Sequence, residues 1–535
     1  MNLLRKPPRY VTATCSVIDV KYECSMDTGI VGPVTVMSSF VEKFGNQSAT
    51  IHGLLVSSIL ISAAISSFFA GYLADKLGRP KGISIGALIF GIGAALEGAA
   101  MHVAMFVIGR CIEGIGEGLY LGTLVVHVYL SVVLHMYAIP RMPLTDCSYI
   151  CEISPPSIRG ALTTGPQLLI TLGLVTGFFT CYGTSHLDSS ISWRIPYLIL
   201  ACLSIAFSVS TFIWLVPSPR WLTIHGRRAE ASATWDLLGV SHAEREKAEI
   251  EQDRGSIIQG PISQEVAITN VPSVDTTTVN SQRNRSLRHK LLDIFSKDVR
   301  TRTALAVFLM GMQQLSGIDG VLYYAPLLFE QAGLASADAS FFASGISALV
   351  IFAVTIPALM WADKWGRRQS IIYGGIGMSL TMFLMGALYA GNAVHSTTGA
   401  GRWVVIVCIY VFAVIFSLSW AVGIKLYAAE IQPQRTRASA TSLAHGSNWA
   451  TNFLVALTTP ILLSKSSFGA YFLFGGCSLI TAVVCAMFMP ETKGRSLDEI
   501  EEAFKSKSLG SWPLLKAFRP IARRTAPENV TLSVI

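Results

Sequence analysis

The sequence predicts an all-α membrane protein that crosses the bilayer with about twelve helices. Hydrophobic residues make up 51% of the 535-residue chain and charged residues only 14%, whereas soluble domains carry about 25% charged residues. The mean hydropathy is +0.51. Apolar runs recur along the chain, and each is about 20 residues long, which is enough to cross a hydrocarbon core of about 30 Å. The strongest are 53–74, 82–109, 196–216, 339–362, 369–391, 403–424 and 467–489, and the weaker are 27–41, 111–138, 161–184, 302–329 and 440–464.

The charge distribution predicts the orientation of the helices. The net charge is +8, but the basic residues lie in short connections such as 75–81, 219–228 and 363–368. These connections share one side if successive helices alternate in direction, and the positive-inside rule makes that side cytoplasmic. Both termini are then cytoplasmic, and the basic charge indicates membrane topology rather than a nucleic-acid partner.

Enzyme chemistry finds no support in the sequence. The ten cysteines form no CxxC pair, so we read them as small buried residues and expect no metal site or cofactor. Gly114, Gly116 and Gly118 lie in an apolar helix with no preceding strand, which favours close helix packing over a nucleotide-binding loop. No nucleophile–base cluster accompanies them.

Two loop motifs occur twice and divide the chain into halves. "DKLGR" at 75–79 returns as "DKWGR" at 363–367. Glu152 and Arg159 return with the same spacing as Glu430 and Arg437. Duplicated motifs in such a chain predict two six-helix halves. The predicted parts are an atypical N-terminal segment (1–26), the first half (27–216), a partly helical cytoplasmic linker (217–300), the second half (301–489) and a cytoplasmic tail (490–535).

These motifs resemble those of the sugar porters of the major facilitator superfamily, in their fungal form. They occur in the order of that family and include "GRCIEGIGEG" (109–118), "PSPRWL" (217–222), "QQLSGIDGVLYY" (313–324), "DKWGRR" (363–368) and "PETKGRSLDE" (490–499). The resemblance implies a fold of twelve transmembrane helices in two six-helix halves.

The resemblance also implies a solute site and a proton-coupling pair. Gln167, Gln313, Gln314, Asn448 and Trp449 match the sugar contacts of the family. Amides donate and accept hydrogen bonds as sugar hydroxyls do, and an indole covers the apolar face of a sugar ring; the alternative is that the amides join helices. Asp27 and Arg110 match the coupling pair of the proton-driven members, with a permanent salt bridge as the alternative.

Three positions depart from the family pattern. Asp319 replaces an Asn, Ile351 another Asn, and Lys425 a Trp. A lysine inside an apolar run is unfavourable unless something stabilises it. Lys425 therefore pairs with Asp319, contacts an anionic solute, or extends its ammonium group to the cytoplasmic surface. Because of these changes, a polyol, disaccharide or sugar acid remains an alternative to a plain hexose.

The duplicated loop charges suggest a latch at the cytoplasmic face. Carboxylates near helix ends can bridge to arginines or to free backbone N–H groups, and the resemblance implies that such a network favours the outward-facing state. The alternative is that these are solvated loop charges. The candidate latch residues are Asp75, Arg79, Glu152, Arg159, Asp363, Arg367, Glu430 and Arg437.

Two segments fit the pattern poorly. Residues 11–26 lead into Asp27 but include Asp19, Lys21 and Glu23, which makes a poor spanning segment. Residues 127–148 interrupt the fourth helix, and their removal restores the spacing of the family. Both features suggest an error in the gene model.

We therefore expect a multi-pass secondary transporter of a monosaccharide, coupled to protons and located in the plasma membrane. It needs no cofactor, has the lipid bilayer as its surroundings and is expected to be a monomer. The alternative is a nutrient sensor of the same fold, but the short tail after "PETKG" (490–494) favours transport.

Overall fold

The structure is a computed structural model in which every regular element of the described part is a helix. The described residues are 9–125, 159–215, 217, 219–224, 226–238, 295–296, 299–334, 337–361, 366–395, 399–433, 436–493 and 504. The helices of the first half are α1 (Arg9–Val36), α2 (Ser38–Phe44), α3 (Ala49–Leu77), α4 (Arg79–Gly98), α5 (Val103–Val125), α6 (Arg159–Ser185) and α7 (Ile191–Trp214). Two short helices follow, α8 (Pro219–Ile224) and α9 (Arg228–Leu238). The helices of the second half are α10 (Arg300–Leu315), α11 (Ile318–Tyr323), α12 (Ala325–Gln331), α13 (Ala337–Trp361), α14 (Arg367–Ala390), α15 (Gly401–Glu430), α16 (Arg437–Lys465) and α17 (Gly469–Phe488).

Both halves have the same packing pattern. In the first half, α4 packs against α5 and α7, α3 against α5, and α1 against α6. In the second half, α14 packs against α15 and α17, α13 against α15, and α10 against α16. If α10–α12 count as one interrupted spanning segment, each half has six spanning helices. Each helix pair of the first half then corresponds to the pair at the same positions in the second half. The repeat that the loop motifs predict is therefore present in the packing.

The two halves meet through reciprocal pairs of helices. The second spanning helix of the first half, α3, packs against α16, the fifth of the second half. The fifth of the first half, α6, packs against α13, the second of the second half. This exchange is what a pseudo-two-fold relation between two repeats requires.

Nine helical stretches of the described residues are long and apolar enough to cross a membrane. Three further helices of the bundle, α1, α5 and α16, exceed 20 residues but are more polar. In α5 the reason is the presence of Arg110, Glu113 and Glu117. Charged groups within a spanning helix are unfavourable unless they are paired, and they commonly mark functional sites.

The glycines of α5 allow close packing, as the sequence predicts. A Cβ atom on Gly114 or Gly118 would lie 2.3 or 2.2 Å from a carbonyl oxygen of α3, that of Ile59 or Ala63. A Cβ atom on Gly116 would lie 2.3 Å from the backbone nitrogen of Phe90 in α4. These residues let three helices approach closely, and they are not a phosphate-binding loop.

The bundle has two distinct ends. We call the end where α3 is followed by Gly78 and where α7 and α15 end, at Trp214 and Glu430, the basic-loop end. We call the opposite end, with the connections 45–48, 99–102 and 466–468, the low-charge end. A cluster of buried apolar residues joins the two halves near the low-charge end. We call this cluster the plug: Val31, Val56, Ile59, Leu60, Tyr323, Tyr324 and Ala456.

Candidate functional site

A break in the seventh spanning segment begins the polar site of the second half. Helix α10 ends at Leu315 and α11 begins at Ile318, with Gly317 in the left-handed region at φ +88°. A Cβ atom there would also lie 2.5 Å from the ring of Phe474, so glycine is required for both conformation and space. Irregular backbone in a membrane protein occurs where it lines a cavity or a binding site.

The predicted amides meet beside this break. Gln313 donates to the carbonyl oxygen of Trp420 at 2.7 Å. Asn448 donates to the carbonyl oxygen of Met310 at 2.9 Å and to Gln313 Oε1 at 3.4 Å. Gln314 donates to Asn448 Oδ1 at 3.3 Å. The structure therefore brings three of the five predicted amide and indole contacts, on α10 and α16, into one hydrogen-bonded group.

The two charged departures from the family pattern lie in the same group. Asp319 on α11 accepts a hydrogen bond from Gln314, and its charge interacts with that of Lys425 on α15. Both side chains are half-buried. A lysine and an aspartate that approach within a membrane bundle lower each other's electrostatic cost, because neither remains an isolated charge.

The other predicted contacts lie at the margins of this group. Trp449 is half-buried and packs against the plug. Gln167 is half-buried on α6, in the opposite half. Ile351 on α13 is 7% exposed and belongs to the apolar core of the second half. Asn452, one turn after Asn448, is 8% exposed and its Oδ1 has no hydrogen-bond partner among the described residues. The sequence analysis missed it, although the spacing of four residues places both amides on one helix face.

A second polar group lies inside the first half. Arg110 donates to both carboxylate oxygens of Asp27, at 3.1 and 3.0 Å. The same guanidinium group lies 3.3 Å from Glu97 Oε2 and 4.0 Å from Glu113 Oε2. The side chains of Arg110, Glu97 and Glu113 are fully buried, and that of Asp27 is 4% exposed. The structure thus joins the predicted Asp27–Arg110 pair and adds two carboxyl groups that the sequence analysis missed.

A signal for these carboxyl groups was present in the sequence. Glu97 and Glu113 lie in the apolar runs 82–109 and 111–138, and carboxylates within spanning helices are candidates for function by default. Carboxylate oxygens of Asp27, Glu97 and Glu113 lie within 4.8 Å of one another, as they would around a cation. Arg110 already supplies a positive charge at 3.0 Å from Asp27, so the geometry favours an internal ion pair over a metal ion.

Further polar contacts continue this group along α1 and α5. The thiol of Cys24 donates to Glu117 Oε1. Glu23 is 3% exposed and accepts a hydrogen bond from Ser204 of α7 at 2.9 Å. Glu113 and Glu117 are one turn apart and therefore lie on the same side of α5. Buried carboxyl groups thus extend from the Arg110 guanidinium toward the middle of the first half.

Two of the candidate latch residues, Arg367 and Glu430, are in contact at the basic-loop end, within the second half. Arg367 Nη2 lies 3.3 Å from Glu430 Oε1, and Thr492 donates to Glu430 Oε2 at 2.6 Å. Glu491 accepts from the backbone N–H groups of Arg367 and Arg368, at 2.9 and 3.1 Å. A carboxylate at the first amides of α14 is favoured by the partial positive charge of a helix N-terminus. The sequence analysis missed Glu491 and Thr492, although both lie in the quoted "PETKG" motif.

The remaining latch residues lie outside the described part. Glu152 and Asp363 are not among the described residues, and the side chains of Asp75, Arg79, Arg159 and Arg437 are not described. Their role in a latch stays a prediction.

The low-charge end is closed around the plug. The ring of His52 on α3 packs edge-on against that of Tyr324, with centroids 5.3 Å apart, and His52 is hydrogen-bonded to Thr35 of α1 at 2.9 Å. On the other side of the bundle, Tyr182 of α6 packs against Phe342 of α13, with centroids 5.8 Å apart. Aromatic contacts therefore join the halves at two places, one at the plug residue Tyr324 and one between α6 and α13.

The sequence matches a known family over most of its length. The model of the family described as "Sugar (and other) transporter" matches residues 24–131 and 144–504. The chain belongs to this family. The members are transporters and not enzymes, in agreement with the prediction from sequence.

Individual relatives and solved structures are similar to the chain over nearly its whole length. Sugar transport protein MST3 of Oryza sativa subsp. japonica is 29% identical over 503 residues, covering 90% of this chain and 87% of that protein. A high-affinity glucose transporter of Kluyveromyces lactis is 27% identical over 481 residues, covering 86% and 79%. The proton:xylose symporter XylE bound to 6-bromo-6-deoxy-D-glucose superposes with a TM-score of 0.66 at 23% identity, covering 92% of this chain and 99% of that one. The inward-open XylE from E. coli gives 0.64 at 21%, covering 92% and 98%.

These similarities establish the fold as that of the major facilitator superfamily, a multi-pass membrane transporter fold of twelve helices in two halves. The predicted fold class and family are therefore confirmed.

Proposed function

We propose that the protein is a secondary active transporter that moves a sugar or sugar-like solute by alternating access, together with a proton. The observation that carries this proposal is the hydrogen-bonded group of Gln313, Gln314 and Asn448 beside the helix break. Amides that donate and accept in one place match the hydroxyl groups of a sugar. Relatives named as sugar and glucose transporters support the same solute class.

A monosaccharide is the preferred solute within this proposal. The pairing of Asp319 with Lys425 leaves no net charge among the contacts, and a neutral site favours a neutral solute. A solute hydroxyl can bind at both charged groups, since a carboxylate accepts and an ammonium group donates. A sugar acid that competes with Asp319 for Lys425 is the alternative, and a polyol fits the amides equally well.

Alternating access is supported by the position of the plug. Asp319 lies four residues before Tyr323 on α11, so a solute contact and a plug residue belong to one short helix. A movement of α11 that follows solute binding changes the contacts of Tyr323 with the first half. Two repeated halves that meet through few helix pairs can rock around a central site.

Proton coupling is assigned to Asp27 and Arg110. A carboxylate beside an arginine can bind a proton when the pair separates and release it when the pair re-forms. The named symport activity of XylE supports this assignment. We place the basic-loop end and both termini in the cytosol by the positive-inside rule, and we place the protein in the plasma membrane as a monomer.

The proposed insertion at 127–148 has one line of support. The family match omits residues 132–143, which lie inside that segment. Residues 126–158 lie outside the described part. We also propose an error of the gene model at residues 1–26. In the structure, the residues from Arg9 onward form one continuous helix, α1, with Asp27.

Uptake of labelled solutes tests the proposed function. In a yeast strain without hexose transporters, we expect expression of the protein to give uptake of a monosaccharide that a protonophore strongly reduces. Uptake should rise as the external pH falls, because protons drive the cycle. Competition by hexoses, pentoses, polyols and sugar acids then identifies the solute class.

Two outcomes contradict this proposal. Uptake that is insensitive to a protonophore and to pH removes the proton from the mechanism and leaves facilitated diffusion. Correct surface expression without uptake of any solute, combined with solute binding by the purified protein, favours the alternative of a nutrient sensor. An Asp27→Asn variant at equal surface expression serves as the control for coupling.

The proposed latch gives a conformational prediction. Glu430→Gln removes the charge that Arg367 faces at 3.3 Å, and a hydrogen bond to a charged group contributes about 1.5–3 kcal/mol. We expect a shift in the distribution between states, measured as distances between spin labels at the basic-loop end. Solute affinity should be retained, because Glu430 lies outside the amide group, and Asp75→Asn should act in the same direction.

The control for this experiment is Glu330→Gln, which changes an exposed glutamate of α12. A Glu430→Gln variant with the distance distribution of the parent would show that these residues are ordinary loop charges.

A further inference from the structure

Among the described residues, the carboxyl groups around Arg110 outnumber the cations that contact them. Asp27, Glu97 and Glu113 all surround the single guanidinium group of Arg110, at 3.0, 3.3 and 4.0 Å. If all three were ionised, the group would have a net charge of minus two in a site from which solvent is excluded. Burying uncompensated charge is so unfavourable that carboxyl groups in such places become neutral by binding a proton.

The geometry indicates which carboxyl groups bind that proton. Asp27 faces the guanidinium with both oxygens, at 3.0 and 3.1 Å, and is the best-paired anion. Both oxygens of Glu113 and Oε1 of Glu97 receive no hydrogen bond from any donor in the described part of the chain. Carboxyl oxygens of the two glutamates lie within 4.8 Å of each other. When two carboxyl groups occupy one buried site, they commonly bind one proton between them.

A tyrosine provides an independent sign that this place binds a proton or another small polar ligand. The hydroxyl of Tyr197 on α7 is fully buried, and it has no hydrogen-bond partner among the described residues. The charges of Glu97, Arg110, Asp27 and Glu113 act on this hydroxyl group. A buried hydroxyl group without a partner is unfavourable, so a polar ligand in this cluster would offer it one.

The other groups around the two glutamates add no positive charge. Helix α3, which also packs against α5, presents serine hydroxyls to α5. The described titratable and charged groups around the pair are Asp27 and Cys24 from α1, Arg110, Cys111, Glu117 and Tyr120 from α5, and Tyr197 from α7. Arg110 is the single cation among these described groups, and Glu117 is a further carboxyl group.

We propose that Glu97 and Glu113 form a second proton-binding site, distinct from the Asp27–Arg110 pair, that binds one proton at neutral pH and exchanges it during transport. The binding part stands on the charge balance alone, and the exchange part rests on the proposed proton-coupled function. Glu97 is the last residue but one of α4, so the site lies close to the low-charge end. A proton that enters from that end reaches Glu97 before the middle of the bundle.

Infrared spectroscopy of the purified protein tests the binding part without solute or gradient. A protonated carboxyl group has a carbonyl stretch that a carboxylate and a glutamine lack. We expect the Glu97→Gln/Glu113→Gln variant to lose a band equivalent to about one carboxyl group per molecule. Glutamine reproduces the shape of the neutral acid, so this variant should fold. The control Glu330→Gln, at an exposed position, should keep the band, and a double variant that also keeps it overturns the proposal.

The ratio of protons to solute tests the exchange part. In proteoliposomes, we expect the double variant to move fewer protons per solute than the parent, because one of the two proposed proton-binding sites is removed. An unchanged ratio in the variant overturns the exchange. Failure of the proposed function gives a different result from failure of this proposal. If the parent moves no protons with its solute, proton-coupled transport is wrong, but the infrared band can still be present. The band alone decides whether the site binds a proton.

Discussion

Replacing either Asp319 or Lys425 with alanine should abolish uptake. Each replacement leaves the partner as an unpaired charge inside the membrane bundle, which costs about 3–5 kcal/mol. The double replacement Asp319→Asn with Lys425→Trp restores the two neutral residues of the family pattern and leaves no unpaired charge. We therefore expect the double variant to retain uptake, with a preference shifted toward neutral hexoses. Uptake rates at equal surface expression measure all three variants.

The combined effect of the two sites decides whether they form a pair. Interacting residues give a coupling energy of about 0.5–3 kcal/mol in a double-mutant cycle. A lysine that extends to the basic-loop surface instead predicts that Lys425→Ala is tolerated and that the two effects add. Additive effects would contradict the pairing of Asp319 with Lys425 and the solute assignment that depends on it.

Replacing Arg110 with methionine should destabilise the protein strongly at neutral pH. The guanidinium group faces three carboxyl groups within 4.0 Å, and its removal leaves them without a counter-charge. Breaking a buried pair by removing one partner costs about 3–5 kcal/mol. Because acid neutralises the unpaired carboxylates, we expect the loss of stability to become smaller as the pH falls. Thermal unfolding in detergent at neutral and acidic pH measures both effects.

The control is Arg110→Lys, which keeps a positive charge but cannot face Asp27 with two parallel N–H groups. We expect intermediate stability and a weaker dependence on pH. If Arg110→Met is as stable as the parent at neutral pH, the carboxyl groups carry no charge that requires Arg110, and the assignment of Asp27 as the ionised partner fails.

The repeat could be predicted because its signals are local in sequence, and the amide group because its residues match a known family pattern. "DKLGR" and "DKWGR" are connections between helices, where a charged motif is conspicuous beside apolar runs. Gln313 and Gln314 precede a glycine that interrupts the helix, and the structure shows that break at Gly317. A polar residue next to an irregular point in a spanning segment is recognisable without knowing its neighbours.

The sequence marks the individual carboxyl groups, but their assembly into one cluster could not be predicted, because its members come from three helices. Asp27, Glu97 and Glu113 lie on α1, α4 and α5, and sequence spacing does not show which faces of separate helices meet. Helices buried in a bundle are apolar nearly all round, so their periodicity gives no direction. Glu23 shows the same limit: with Asp19 and Lys21 it makes residues 11–26 a poor spanning segment in the sequence, but in the structure Ser204 of α7 donates a hydrogen bond to Glu23.

Because the plug closes the low-charge end, the effect of an inhibitor depends on the side of the membrane from which it binds. In this state, Tyr323 and Tyr324 lie between the low-charge surface and the amide group. A blocker dissolved on that side therefore has to wait for another conformation. A compound that instead enters through the basic-loop end and binds this conformation holds the transporter with its plug closed. Transporters held in this way cannot bind solute from the low-charge side. Such a compound lowers the maximal rate of uptake from the low-charge side, and added solute there does not displace it.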